Sequence, residues 1–111
     1  MSITVANVKF TGPIPMGDWE PTEDAGLYII MTQRDPTNKP NFYSTLYVGQ
    51  SEDFSDRGFV ENHHKSDCWN EHANSDSGVH IGIHKMLGST KEERESIESK
   101  IIKEKNPPCN D

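Results

Sequence analysis

Three residues able to ligate a transition metal, His64, Cys68 and His72, recur at intervals of four. On an unbroken helix that spacing sets all three side chains on one face. Imidazole and thiolate suit a borderline-soft ion such as Zn²⁺, which would still require a fourth ligand, with Cys109 or His80 as candidates. Against this, Ser66-Asp67 reads as a helix start, and Cys68 with Trp69 reads equally well as core. Nearer the C-terminus, Glu98 poses a different problem. At about 100° per residue, Ile101 falls about 60° to one side of it and Ile102 about 40° to the other, so the carboxylate points with an apolar stripe. Such a carboxylate needs a cation, a donor or a cleft edge, or else bends to water at the margin of a narrow stripe. Tyr28, Tyr47 and Arg57 complete the set; each alone is compatible with a half-buried strand tyrosine or a surface ion pair.

The elements that must position these residues follow from local pattern. Residues 26–31 and 44–49 are rich in β-branched and aromatic side chains and flank a stretch holding Pro36, Asn38, Pro40 and Asn41, which predicts a long-looped hairpin. Alternation puts Leu27 and Ile29 on one face and Tyr28 and Ile30 on the other; likewise Leu46 and Val48 oppose Thr45, Tyr47 and Gly49. A loop centred near Thr37 and Asn38 sets Tyr28 opposite Tyr47. From Asp53 to about Asn74 the pattern is helical but broken at Gly58, giving two short helices capped at Ser55 and at Ser66 or Asp67. Residues 79–84 alternate with period two, a third strand with Val79, Ile81 and Ile83 on one side and His80 and His84 on the other, at the surface or in a cleft. Ser89 and Thr90 followed by Glu92 and Glu93 form a capping-box signature, so a helix runs from about Thr90 to Lys105 and stops at Asn106-Pro107-Pro108.

Residues 1–24 carry Pro13, Pro15, Pro21, Gly12 and Gly17. They read as an N-terminal arm with at most a short strand-like run from Ile3 to Phe10, leaving 25–111 as the folded domain. The length of 111 residues suits one domain, and 32% apolar content implies a small core. No apolar run approaches the roughly 20 residues that cross a bilayer, and Met1-Ser2-Ile3-Thr4 lacks the features of a leader, so no membrane role is expected. Cys68 and Cys109 form no CxxC pair, which predicts free thiols and a cytoplasmic location. The net charge of −7 opposes loose, charge-driven binding to nucleic acid.

Taken together, Gly26-Leu27-Tyr28 and Tyr47-Val48-Gly49 resemble the paired elements of the GIY-YIG nuclease superfamily. The resemblance continues through Gln50-Ser51 and the approach Asp53-Phe54-Ser55-Asp56 to Arg57, then through Glu98 with Ile101-Ile102-Lys103 to Asn106-Pro107-Pro108-Cys109-Asn110. That closing pattern is similar to the end of the incision domain of bacterial excision-repair nucleases. The resemblance implies a small α+β fold, a three-stranded antiparallel sheet flanked by helices in the order strand-strand-helix-helix-strand-helix. It also implies a metal-dependent endonuclease: Tyr28, directly or through Tyr47, would activate water, Arg57 would stabilise the phosphoryl transition state, Glu98 would hold one Mg²⁺ or Mn²⁺, and Asn110 would order the site. Phosphodiester hydrolysis needs these parts: a positioned nucleophile, a cation on a non-bridging oxygen and donors for developing charge.

Two departures from the family pattern stand out. Eighteen residues separate Tyr28 from Tyr47, an unusually long connection, and Glu61 stands where many members place a histidine. His64, two turns after Arg57, is the preferred substitute over His63. Residues 61–111 hold seven Lys and Arg against ten Asp and Glu, so either a recruiting protein partner brings the chain to its nucleic acid, DNA in the first instance, or the substrate is short or structured, or catalysis is lost. The alternative is a non-catalytic protein-binding or zinc-stabilised module on the same fold.

Overall fold

Ala6 and Asn7 both take positive φ, 51° and 67°, and reverse the chain in two residues between β1 (Ser2–Val5) and β2 (Val8–Pro15), with Val5 and Val8 closing the turn. Positive φ at both centres is the turn whose twist matches paired strands. In the computed structural model, which describes residues 1–35, 37–57, 65–73 and 78–110, this hairpin opens a single antiparallel sheet. The other strands are β3 (Gly26–Asp35), β4 (Lys39–Ser51) and β5 (Val79–Lys85), in the spatial order β1-β2-β5-β3-β4. Short 3₁₀ turns occupy Met16–Asp18 and Phe54–Arg57, and among the described residues two α-helices, α1 (Ser66–Ala73) and α2 (Lys91–Lys105), cover the sheet.

The expected three-stranded sheet is therefore a five-stranded one. Residues read as an arm supply two of its strands, β2 pairing directly with β5 at Thr11–Ile83 and Ile14–Ile81. The prolines misled because a proline is tolerated where no ladder bond is lost: Pro13 falls at the register shift between Thr11 and Ile14, and Pro15 ends the strand. No glycine marks the Ala6-Asn7 turn, so the usual sequence signal for a hairpin is absent.

The hairpin register also differs from expectation. Tyr28 pairs with Gly49 and Ile30 with Tyr47, so the two tyrosines are diagonal neighbours on one face. Between Tyr47 and Thr45 the register shifts, leaving Leu46 as an extra residue on β4. A bulge of this kind turns its residue off the alternation. Leu46 consequently joins the core on the tyrosine face, while Val48, expected beside it, packs on the opposite face.

In the stretch expected to hold two helices, the described part before Gly58 is a single 3₁₀ turn. Its cap is Asp53, not Ser55: the Ser55 amide and hydroxyl both donate to Asp53 Oδ1, at 2.9 and 2.6 Å. Residues 58–64 lie outside the described residues. α1 begins at Ser66, so Ser66 and Asp67, expected as caps, lie within its first turn; Lys65 stands at the cap position, its carbonyl accepting from the Trp69 amide at 3.1 Å. α2 carries the full capping box: Glu93 N–H donates to Thr90 Oγ1 at 3.2 Å and Thr90 N–H to Glu93 Oε1 at 2.9 Å. It ends on Asn106, left-handed at φ 47°, ahead of the two prolines.

Each helix takes one face of the sheet. Ile97, Ile101 and Ile102 of α2 pack with Leu27, Ile29 and Val48. Trp69 of α1 packs with Tyr28, Ile30, Leu46 and Phe54. Val79 and Ile81 of β5 join the α1 side, as their alternation predicts.

Candidate functional site

Tyr28 and Tyr47 reach the same face because each lies on a central run of β3 or β4 with even spacing to its neighbours. Their ring centroids are 5.9 Å apart at 35°, and Tyr47 lies a further 5.9 Å from the Trp69 indole. Gly49, opposite Tyr28, has no side chain for a reason: a Cβ there would run into the Tyr28 ring and hydroxyl. Tyr28 is wholly buried, with 0% exposure, whereas Tyr47 is half-buried.

The C-terminal segment returns to the outer edge of β4. Cys109 N–H donates to the Leu46 carbonyl at 2.9 Å, the carbonyl turned outward at the bulge. One position on, the Asn110 side chain substitutes for a strand: its Oδ1 accepts from Val48 N–H and its Nδ2 donates to Val48 O, both at 2.9 Å. An edge strand with open donors and acceptors invites mispairing, and this segment covers the edge at Leu46 and Val48. Asn110 is thus brought beside the strand that carries Tyr47.

The remaining expected residues are distributed differently. Glu98 is half-buried on α2, whose isoleucines pack on the face opposite the tyrosines, and α2 lies mainly along β4. Arg57 ends its 3₁₀ turn; its side chain, like His63 and His64, lies outside the described residues.

Sequence reasoning passed over Arg94, which is 1% exposed. Its Nε donates to Gln50 Oε1 at 2.9 Å, and its Nη1 donates to Ser89 O and Oγ at 2.8 and 3.0 Å. Nη2 approaches only the exposed Glu52 carboxylate, at 3.8 Å. These bonds fasten the first turn of α2 to the end of β4, one turn before Glu98. The signal was present in the spacing, since 94, 97, 98, 101 and 102 form one helical face.

The cysteines overturn the expectation of free thiols. Cys68 and Cys109 form a disulfide, linking α1 to the segment on the β4 edge. Bonded cysteines remove the argument from free thiols to a cytoplasmic location. No described helix is long and apolar enough to cross a membrane.

Among the described residues, the candidate metal ligands that gather are Cys68, His72 and Cys109, whose donor atoms all lie within 4.8 Å of one another. Of the two fourth-ligand candidates, Cys109 is therefore in place. His80, expected at the surface or in a cleft, is instead buried beside Met31 and Tyr43 on the other face, its ring Nδ1 3.1 Å from the Gly78 carbonyl. His84 is half-buried, with Nδ1 2.8 Å from the Lys9 carbonyl.

Comparison with known proteins finds no matching family model, no matching curated protein and no matching solved structure.

Proposed function

We propose that this chain hydrolyses phosphodiester bonds in nucleic acid, DNA in the first instance, as a GIY-YIG-type endonuclease. The observation that carries the reading is the tyrosine pair: Tyr28 and Tyr47 on adjacent strands with ring centroids 5.9 Å apart, Gly49 leaving room for the Tyr28 ring, and Asn110 bonded to the strand that carries Tyr47. A phenol activated by a second phenol gives a base for an attacking water. Arg57 stabilises the charge that develops on the phosphoryl group, with His64 assisting, and Arg94 is a positioning residue that holds α2 and so Glu98. Glu98 is the residue that would hold Mg²⁺ or Mn²⁺; because the isoleucines of α2 pack on the face opposite the tyrosines, the ion would meet the tyrosine pair around the β4 edge, along which α2 lies. A single half-buried carboxylate suits a hard ion that keeps most of its waters, and the ion would draw charge from a non-bridging oxygen.

The acidic surface makes a recruiting protein partner part of this reading, since a charge of −7 gives little attraction for a phosphate backbone. The Cys68–Cys109 disulfide favours a non-reducing compartment over the cytoplasm expected from free thiols. The test is a Mg²⁺-titrated cleavage assay on single-stranded, duplex and branched DNA at low salt. Glu98→Gln keeps the shape of the side chain and is expected to lower cutting on the order of 100-fold or more. Arg57→Ala is expected to depress turnover far more than metal affinity. A Glu98→Gln protein that cuts at the native rate would sink the metal assignment.

The complete burial of Tyr28 favours a second reading, a non-catalytic protein-binding module on the same framework. Absence of cutting on every DNA form, with the tyrosine pair still folded, decides for it.

A further inference from the structure

We propose that Cys68, His72 and Cys109 form a zinc site when the disulfide is reduced, so that a metal and a covalent bond are alternative ties between α1 and the C-terminal segment. This inference is independent of the nuclease reading. Its basis is that the three donors are already gathered within 4.8 Å by two separately anchored elements. Cys68 and His72 stand one turn apart on α1, at the i and i+4 positions that share a face. Cys109 is held from the other side by its amide bond to Leu46 O and by the clamp that Asn110 makes on Val48.

Tetrahedral zinc, with Zn–S near about 2.3 Å and Zn–N near about 2.0 Å, sets its donors roughly 3.5 to 3.8 Å apart. With backbone anchors 5.9 Å apart at the two cysteine Cα atoms, rotation of the cysteine side chains is enough to open the sulfurs to that spacing. Two thiolates and one imidazole, with no carboxylate in the group, select Zn²⁺ over Mg²⁺ or Ca²⁺. Three protein ligands leave the fourth position to water. His72 is exposed, so that position opens toward solvent.

The chemistry balances as follows. A thiol reductant of the glutathione class supplies two electrons and two protons; the Cys68–Cys109 bond breaks to two thiols while two reductant thiols join in a disulfide. Each protein thiol then releases its proton to solvent as its sulfur bonds to Zn²⁺, and neutral His72 contributes a ring nitrogen lone pair. The assembled site carries no net charge, which suits sulfurs beside the buried Trp69 and Phe54. Both states fasten α1 to the β4 edge; only the reduced one depends on zinc supply.

The full chain is reduced with a non-chelating phosphine, equilibrated with Zn²⁺, passed into metal-free buffer and read by native mass spectrometry. One zinc per chain is expected in the reduced protein and none after oxidation to the disulfide. His72→Ala alters an exposed side chain outside the core, so it should fold, form the same disulfide and bind zinc more weakly on the order of tenfold or more. Cys68→Ser should lose both ties. With Co²⁺ in place of Zn²⁺, the reduced native protein should show a thiolate-to-metal charge-transfer band that Cys68→Ser lacks. Zinc uptake that is absent in the reduced protein, equal in the oxidised one, or unchanged in His72→Ala overturns the proposal.

Discussion

Where α2 meets the sheet, the contact is made largely by aliphatic side chains, Ile97, Ile101 and Ile102 against Leu27, Ile29 and Val48, under a helix of 15 residues with both ends capped. Where α1 meets the other face, the contact centres on one aromatic ring, Trp69, set among Tyr28, Tyr47 and Phe54 as well as Ile30 and Leu46, and the helix has only 8 residues. A helix so short is not stable in isolation. It is held by one buried indole and one disulfide. The difference teaches where each face stores its stability: the α2 side in local capping and apolar burial, the α1 side in a long-range covalent tie.

The strongest way to break this comparison is to cut that tie. Reduction in the presence of a chelator should destabilise the protein by about 4 kcal/mol, the loop-closure value for a sequence separation of 41. Hydrogen exchange should show amides of α1 losing protection well before those of α2; equal loss on both faces would show that the two sides unfold as one unit.

On the α2 side the largest effect should come from Arg94. Arg94→Ala strands the Gln50 and Ser89 partners of a buried guanidinium and should cost about 3 kcal/mol in denaturant unfolding. Arg94→Met, which fills the space without a charge, should cost much less. If both cost the same, packing and not the polar clamp holds α2.

Gly49→Ala tests the tyrosine face. The added methyl has no room beside the buried Tyr28 ring, so the ring or the hairpin must shift, at about 2 kcal/mol. The near-ultraviolet circular dichroism of the aromatic cluster should change with it.

The smallest effects belong to the cap of α2. Thr90→Ala should lower stability by about 1 kcal/mol. The Glu93 carboxyl is held below its ordinary value of 4.5 by hydrogen bonds from the Thr90 backbone and side chain, and by the Arg94 charge. Because the folded value is the lower one, this contribution is complete above about 4.5 and is lost as pH falls through the depressed value. A thermal melt of Glu93→Gln should therefore fall below the native one at neutral pH and converge with it in acid. Convergence at neutral pH would remove the carboxylate from the cap.

What could be read in the chain was whatever is decided within a few residues. The capping box at Thr90 and Glu93 and the alternation of β5 depend on near neighbours, and both elements stand as the pattern predicts. The tyrosine pair was legible as two residues on one face, yet its register was not, because the bulge at Leu46 answers to packing and to the Cys109 amide. The N-terminal strands escaped for a related reason. Proline weakens a strand locally, and only pairing with β5 showed that Pro13 falls at a register shift and Pro15 at the last residue of its strand, opposite His80.

By itself, then, the sequence determined α2, β5 and the shared face of Tyr28 and Tyr47, since helix caps and side-chain alternation are short-range properties of the chain. Tertiary structure alone decided that the first 15 residues complete the sheet, that Arg94 is buried, and that Cys68 meets Cys109 across 41 residues beside His72. Those outcomes depend on which distant surfaces exclude water together, and burial of that kind leaves no fixed spacing in a sequence.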